Sequence, residues 1–286
     1  MGAGNREDDH ASIAEQAREA FDRLTARERK AAQMLLANYP TAGLAPVAQF
    51  AERAQVSAPT VLRFVAKLGF QGYPDFQRQL REELEAQLAS PLAKPSRSRR
   101  PPNPQRAAID PFLESAIANL QNTFRHIGEN EFMEIVELLC DKRRSVHLIG
   151  GRFTDALARY FAAHLSLLRP QVRHVPSGIG VWRDRLLDIS RRDVLVVFDI
   201  RRYQEDVVSF ARKAADRGAS IVLVTDQWMS PISRQAAHVL ACRIAAPSRW
   251  DSGIAPLAVV EALTAAVTER LGDFARARIE ELERLR

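Results

Sequence analysis

Residues 91–106, PLAKPSRSRRPPNPQR, hold five of the chain's fifteen prolines with four arginines and one lysine, and show no apolar periodicity. Proline removes a backbone donor and stiffens the chain, so this run reads as an extended, solvated linker. It cuts the 286-residue chain into two parts, each of which has to bury its own core. Before the linker the apolar pattern is helical throughout. After it come two helical segments, 111–126 and 131–141, the first with Ile117, Leu120, Phe124 and Ile127 on one face. Short β-branched runs then alternate with helix-length segments: 145–149, 172–175, 194–198, 221–225 and 239–243. That alternation predicts βαβ units around a parallel sheet. Residues 274–286, with Ile279, Leu282 and Leu285 among opposite charges, read as a closing amphipathic helix. The expected fold is multidomain: an all-α domain over 1–90, the linker, and an α/β doubly wound (αβα) domain with a parallel sheet over 107–286.

Charge separates the parts as well. Residues 20–81 carry nine Lys/Arg against four Asp/Glu, the linker five against none, and residues 107–286 twenty-five against twenty-three. A basic excess in one third of the chain points to a polyanionic partner for that third, or to a merely basic soluble surface. The polar, acidic first residues show no signal-peptide core, and no apolar run reaches membrane-spanning length, so a cytoplasmic protein without a membrane partner is expected. Cys140 and Cys242 are far apart, and the six histidines lack ligand spacing, which argues against a disulfide framework, a metal or a cofactor. Trp182, Trp228 and Trp250 read as packing residues.

In the first part Thr25-Ala-Arg-Glu28 is a capping box for a helix that Tyr39-Pro40 stops. A second helix spans about 46–54. After a short turn, Ser57 is a good N-cap for a third over 58–68, which Gly69 ends. Helix, short turn, helix is the helix-turn-helix pattern, with an ordinary helix bundle as the alternative. On the third helix Val61, Leu62, Val65 and Leu68 should face a core. Thr60, Arg63 and Lys67, at i, i+3 and i+7, should share the opposite face with Ser57 at its start. Ser57 and Thr60 suit phosphate or base edges and Arg63 a bidentate contact to guanine, with Lys67 on the same DNA-binding face.

Three stretches carry a family resemblance: LTARERK at 24–30, VAQFAERAQVSAPTVLRFVAKLGFQGYPDF at 47–76, and the helix that follows. They resemble the N-terminal domain of the RpiR/MurR transcription regulators, over about sixty residues. Within them Gly69 and Gly72 should serve the turn, and Phe70, Tyr73 and Phe76 should pin the next helix. The second part is similar to the SIS (sugar isomerase) domain of that family, through Val146-His-Leu-Ile-Gly150, Asp193-Val-Leu-Val-Val-Phe198, residues 218–225, and Ser230-Pro-Ile232. The resemblance implies a non-enzymatic, DNA-binding homodimer or homotetramer on a double-stranded operator. It also implies a carbohydrate-derived effector outside the carboxyl ends of the strands.

The effector loops depart from the family. Where it has Gly-x-Gly-x-Ser this chain has Gly150-Gly151-Arg152-Phe153-Thr154, and where it has Ser-x-Ser-Gly-x-Thr it has Asp199-Ile200-Arg201-Arg202-Tyr203-Gln204. In one reading, Gly150, Arg152, Thr154, Asp199, Arg201, Arg202 and Gln204 form a site for a carboxylate or phosphate, with the arginines as forked donors and Asp199 orienting them or meeting the ligand. In the other, Asp199 and the arginines pair with one another and the domain serves only as a dimerisation scaffold. A sugar-phosphate isomerase is the rival from another class, yet nothing marks Glu205 or Asp206 as a tuned base.

Overall fold

The structure, a computed structural model, describes residues 12–88, 109–176 and 179–285. Residues 1–11 and the expected linker at 91–106 lie outside the described residues. The chain separates into two compact units, one all-helical and one α/β.

In the first unit, α1 (Ile13–Glu19) opens on a capping box between Ser12 and Glu15 that sequence reasoning missed. The helix α2 (Ala26–Ala37) opens on the expected box: the Thr25 hydroxyl accepts from the Glu28 amide, and the Glu28 carboxylate accepts from the Thr25 amide. A short helix α3 (Thr41–Leu44), also missed, leads to α4 (Val47–Arg53), α5 (Ala58–Lys67) and α6 (Tyr73–Leu88). Ile13, Leu35, Phe50, Phe64, Phe76 and Leu80 are fully buried in their common core. Gly43 lets α3 lie close under α6: a Cβ there would come within 2.4 Å of the end of the Leu80 side chain. The Tyr73 hydroxyl donates to the carbonyls of Gly43 (3.1 Å) and Ala45 (2.8 Å), and Phe76 packs edge-on against Phe70. These are the contacts expected to pin α6.

The second unit begins with α7 (Asp110–His126) and α8 (Glu129–Cys140). The strands β1 (Val146–Gly150), β2 (Val172–His174), β3 (Val194–Phe198), β4 (Ser220–Asp226) and β5 (His238–Cys242) fall within a residue of the expected runs. They form one parallel sheet ordered β2-β1-β3-β4-β5. Alternation distributes their side chains: Leu148, Val196, Phe198, Val222 and Val224 enter one core, while Ile149, Leu195, Val197, Ile221 and Leu223 enter the other. The first core is covered by α8, α9 (Asp155–Leu168), α12 (Ile254–Leu271) and α13 (Asp273–Arg284). The second is covered by α10 (Ile179–Leu187), another missed helix, and α11 (Glu205–Asp216). Helices on both faces of a parallel sheet make the doubly wound architecture.

Trp182, on α10, is packed edge-on against Phe210 as expected of a core residue. The expected face of α7 is corrected in part. Leu120 and Ile127 pack partly buried against the first core, but Ile117 and Phe124 are exposed, and the helix buries Ala116, Asn119, Asn122 and Thr123. Among the described residues no helix is long and apolar enough to cross a membrane.

The fully buried Arg169 fastens the start of the sheet, donating to the carbonyls of Leu139, Arg144 and Pro170. Loss of a buried charged donor leaves those acceptors unsatisfied. We expect Arg169→Met to destabilise the α/β unit by about 3 kcal/mol, measured by denaturant unfolding followed at Trp182.

Candidate functional site

The loop between α4 and α5 sets the first candidate surface. Gln55 adopts φ +54°, and Val56 donates to the Ala51 carbonyl at 3.0 Å, a Schellman closure at a position where glycine is more usual. Gly69 ends α5 in the same way, at φ +96°, with Phe70 donating to Val65. Between these stops, α5 turns Thr60, Val61, Phe64 and Val65 into the core and leaves Ser57, Pro59, Leu62, Arg63, Ala66 and Lys67 exposed.

Two expectations about α5 are thereby corrected. Leu62 points outward, and Phe64 takes the core position assigned to it. Thr60 is only 1% exposed, on the buried face of α5 with Val61, Phe64 and Val65. Its hydroxyl lies 2.9 Å from the Ser57 hydroxyl and accepts from the Arg63 guanidinium at 3.2 Å. Thr60 therefore positions the two exposed donors. Ser57 occupies the N-cap position without capping an amide, since its hydroxyl is turned to Thr60.

Lys67 bonds Glu28 at 2.8 Å and the Arg23 carbonyl at 3.2 Å. Burial pushes the Glu28 carboxyl up, but its bonds with Lys67 and Thr25 outweigh that and hold it below its ordinary value. Among the residues predicted for this surface, Ser57 and Arg63 stand open on the outward face with Lys67 paired at its edge.

The second candidate site lies at the carboxyl edge of the sheet, where strand order reverses between β1 and β3. Gly150 ends β1 against the start of α9, and a Cβ there would come within 2.5 Å of the Asp155 nitrogen. The Thr154 hydroxyl donates to the Phe198 carbonyl (2.6 Å) and accepts from the Gly151 amide (2.8 Å). The Arg152 amide donates to the Gln204 side-chain oxygen. These bonds join the β1 and β3 loops and occupy amides that could otherwise cradle an anion.

Asp199 is buried. Its carboxylate accepts from the Ser230 hydroxyl and from the Gln204 amide at 3.3 Å. Of the two readings of this loop, the one that pairs Asp199 with the arginines is therefore corrected. Arg201 instead presents its guanidinium as a fork to Asp251, at 2.6 and 3.3 Å, with the arginine side chain only 4% exposed. Its backbone amide donates to Asp226 (2.6 Å), whose other oxygen accepts from the Tyr203 hydroxyl (2.9 Å). Burial, and then Asp226, push that phenol well above its ordinary value. Arg202 and Arg152 are exposed. Arg152 lies over the Phe153 ring, which meets Trp250 edge-on at 5.7 Å, and Trp250 is 62% exposed rather than the packing residue expected.

The structure thus joins Gly150, Arg152, Thr154, Asp199 and Gln204 through neighbouring bonds and diverts Arg201 to Asp251. Tyr203, Asp226, Ser230 and Asp251 were missed as site residues. Their signal was positional: Asp226 ends β4, and Asp251 follows β5 at the same edge of the sheet.

Comparison with known proteins matches residues 11–87 to the helix-turn-helix domain of the rpiR family and residues 138–266 to the SIS domain. The chain is 28% identical to the HTH-type transcriptional regulator HexR of Pseudomonas aeruginosa over 277 residues, covering 92% of each chain. It belongs to the RpiR-type transcriptional regulators. HexR of Escherichia coli is 24% identical, with 91% and 89% covered. The sugar isomerase domain of an RpiR transcription factor from Sphaerobacter thermophilus superposes with a TM-score of 0.57 at 25% identity, covering 60% of this chain and 96% of that one. The Vibrio vulnificus NanR protein, solved with ManNAc-6P, shares the fold with a TM-score of 0.55 at 18% identity, covering 96% and 98%.

In this RpiR-type regulator burial pushes the Asp199 carboxyl from 3.8 up to about 7. The Ser230 and Gln204 bonds oppose that rise, and Asp226 and Asp206 add to it. The folded state then holds a proton that the unfolded chain has lost, so this group's stabilisation fades as pH rises from about 4 to 7 and is absent above. Asp199→Asn should remove that slope. Thermal unfolding of both proteins across pH 4–8 measures it in their difference, and parallel curves would refute the assignment.

Proposed function

We propose that this regulator binds a double-stranded operator through α5, with Arg63 reading a base edge and Ser57 and Lys67 meeting phosphates. The observation that supports it most directly is the exposed Arg63 guanidinium, braced by Thr60 beside Ser57 on the second helix of the helix-turn-helix. In this reading Thr60 acts through Ser57 and Arg63 rather than by touching DNA, and Lys67 exchanges Glu28 for a phosphate. The protein works in the cytoplasm as a homodimer or homotetramer, matching a two-fold operator, with the linker at 91–106 joining the domains. Glu205 is exposed, and Asp206 accepts from the Val207 amide of its own helix, an arrangement that favours a regulator over an isomerase.

The effector is a small anionic metabolite, a carboxylate or phosphate, that competes with Asp251 for the Arg201 fork and is met by the exposed Arg202 and Arg152. Gly150 and Thr154 shape the loop, while Asp199 and Gln204 hold the two loops together. A second reading, in which the α/β unit is a scaffold only, is favoured by the engagement of the Gly151 and Arg152 amides within the chain.

Two outcomes are expected. Arg63→Ala should weaken binding to a duplex carrying the operator by about 1–3 kcal/mol and relax base preference, read by fluorescence anisotropy at fixed salt. An unchanged affinity would remove α5 from the groove. The double variant R201A/R202A should keep its DNA affinity but lose the thermal shift that carboxylate- or phosphate-bearing metabolites give the wild type. A retained shift would favour the scaffold reading.

A further inference from the structure

The helix α7 leaves an apolar row outside. Its buried residues are Ala116, Asn119, Asn122 and Thr123, with Leu120 partly buried against the core, whereas Ile109 beside it and Leu113, Ile117 and Phe124 on it are between 42% and 59% exposed. The outward set recurs at helical spacing as a stripe about 22 Å long. The polar face is locked inward. Asn119 donates to the Ala245 carbonyl at 2.6 Å, Ser115 to the same oxygen at 3.0 Å, and the Thr123 hydroxyl accepts from the Arg243 amide at 2.8 Å. Rolling the helix to bury the stripe would break all three bonds and strand buried polar groups, so the α/β unit cannot cover it by itself.

Charge indicates the occupant. Asp110 and Glu114 lie toward the start of α7, and Arg125 and His126 at its end. A second copy of the same helix, packed antiparallel about a two-fold axis, brings the acidic end of each against the basic end of the other. An isologous interface requires that self-complementarity. A parallel copy would set like charges together. We propose that the outer face of α7 is a subunit interface in which the apolar stripe packs antiparallel on its own copy. The proposal rests on the homo-oligomer reading above and adds the surface that makes the contact.

The test measures the mass of the full chain in solution by light scattering at micromolar concentration. Wild type should be a dimer or tetramer. Leu113→Glu with Ile117→Glu should weaken the assembly at least about tenfold and halve its mass. Both side chains are already exposed, so circular dichroism should show an unchanged fold. Glu114→Arg should weaken association more mildly, and adding Arg125→Glu should restore it, an effect that loss of folding cannot produce. A monomeric wild type would overturn the oligomer reading and this inference together. An oligomeric wild type whose mass is unaffected by L113E/I117E would overturn only the interface, leaving the stripe to another occupant such as this chain's helical domain. Failure of the charge swap to restore association would overturn the antiparallel pairing.

Discussion

Buried carboxylates need donors, and the ligand edge of the sheet is organised around that need. Asp199 follows β3, Asp226 ends β4 and the half-buried Asp251 follows β5, and each is met by groups of the chain itself. Ser230 and Gln204 are held to Asp199, Tyr203 and the Arg201 backbone to Asp226, and the Arg201 guanidinium to Asp251. The loops that would close around an oxyanion are thereby fixed in place before any ligand arrives. In the proposed reading the Arg201 fork is pre-shaped for an anion, Asp251 stands where the ligand's charge would sit, and effector binding would exchange one anion for another.

A single acid has a similar organising role in the helical unit. Glu28 closes the capping box of α2 and also receives Lys67 from α5. One buried side chain therefore relates the start of α2 to the end of α5, while Thr60 does the corresponding work at the start of α5. The exposed donors on α5 are short or braced, which lowers the entropy lost when they are ordered on a partner.

The parts of the fold that were legible in the sequence are those in which local chemistry and tertiary packing agree. The β-branched runs lie on the strands of the sheet, three of them buried on both faces, so their limits were visible to within a residue. The Thr25 box and Gly69 marked α2 and α5 because caps are local. Other features were hidden by competition between levels. Apolar periodicity placed Ile117 and Phe124 inward, but the hydrogen bonds of Asn119 and Thr123 to the β5 exit outweigh it. Polarity placed Thr60 outward, although its methyl group suits the core and its hydroxyl finds partners there. Spacing indicated that Asp199 and the arginines shared a loop. It could not show that Asp251, fifty residues on, would take Arg201, because that contact exists only once β3, β4 and β5 lie side by side.

The central claim is that α5 is the surface that meets DNA. Hydrogen–deuterium exchange of the full chain, with and without a duplex carrying its operator, tests it most directly. Exchange should slow at the amides from Ser57 to Lys67 and stay unchanged along β3. Protection confined to the α/β unit, or none over α5 while the duplex is bound, would contradict it.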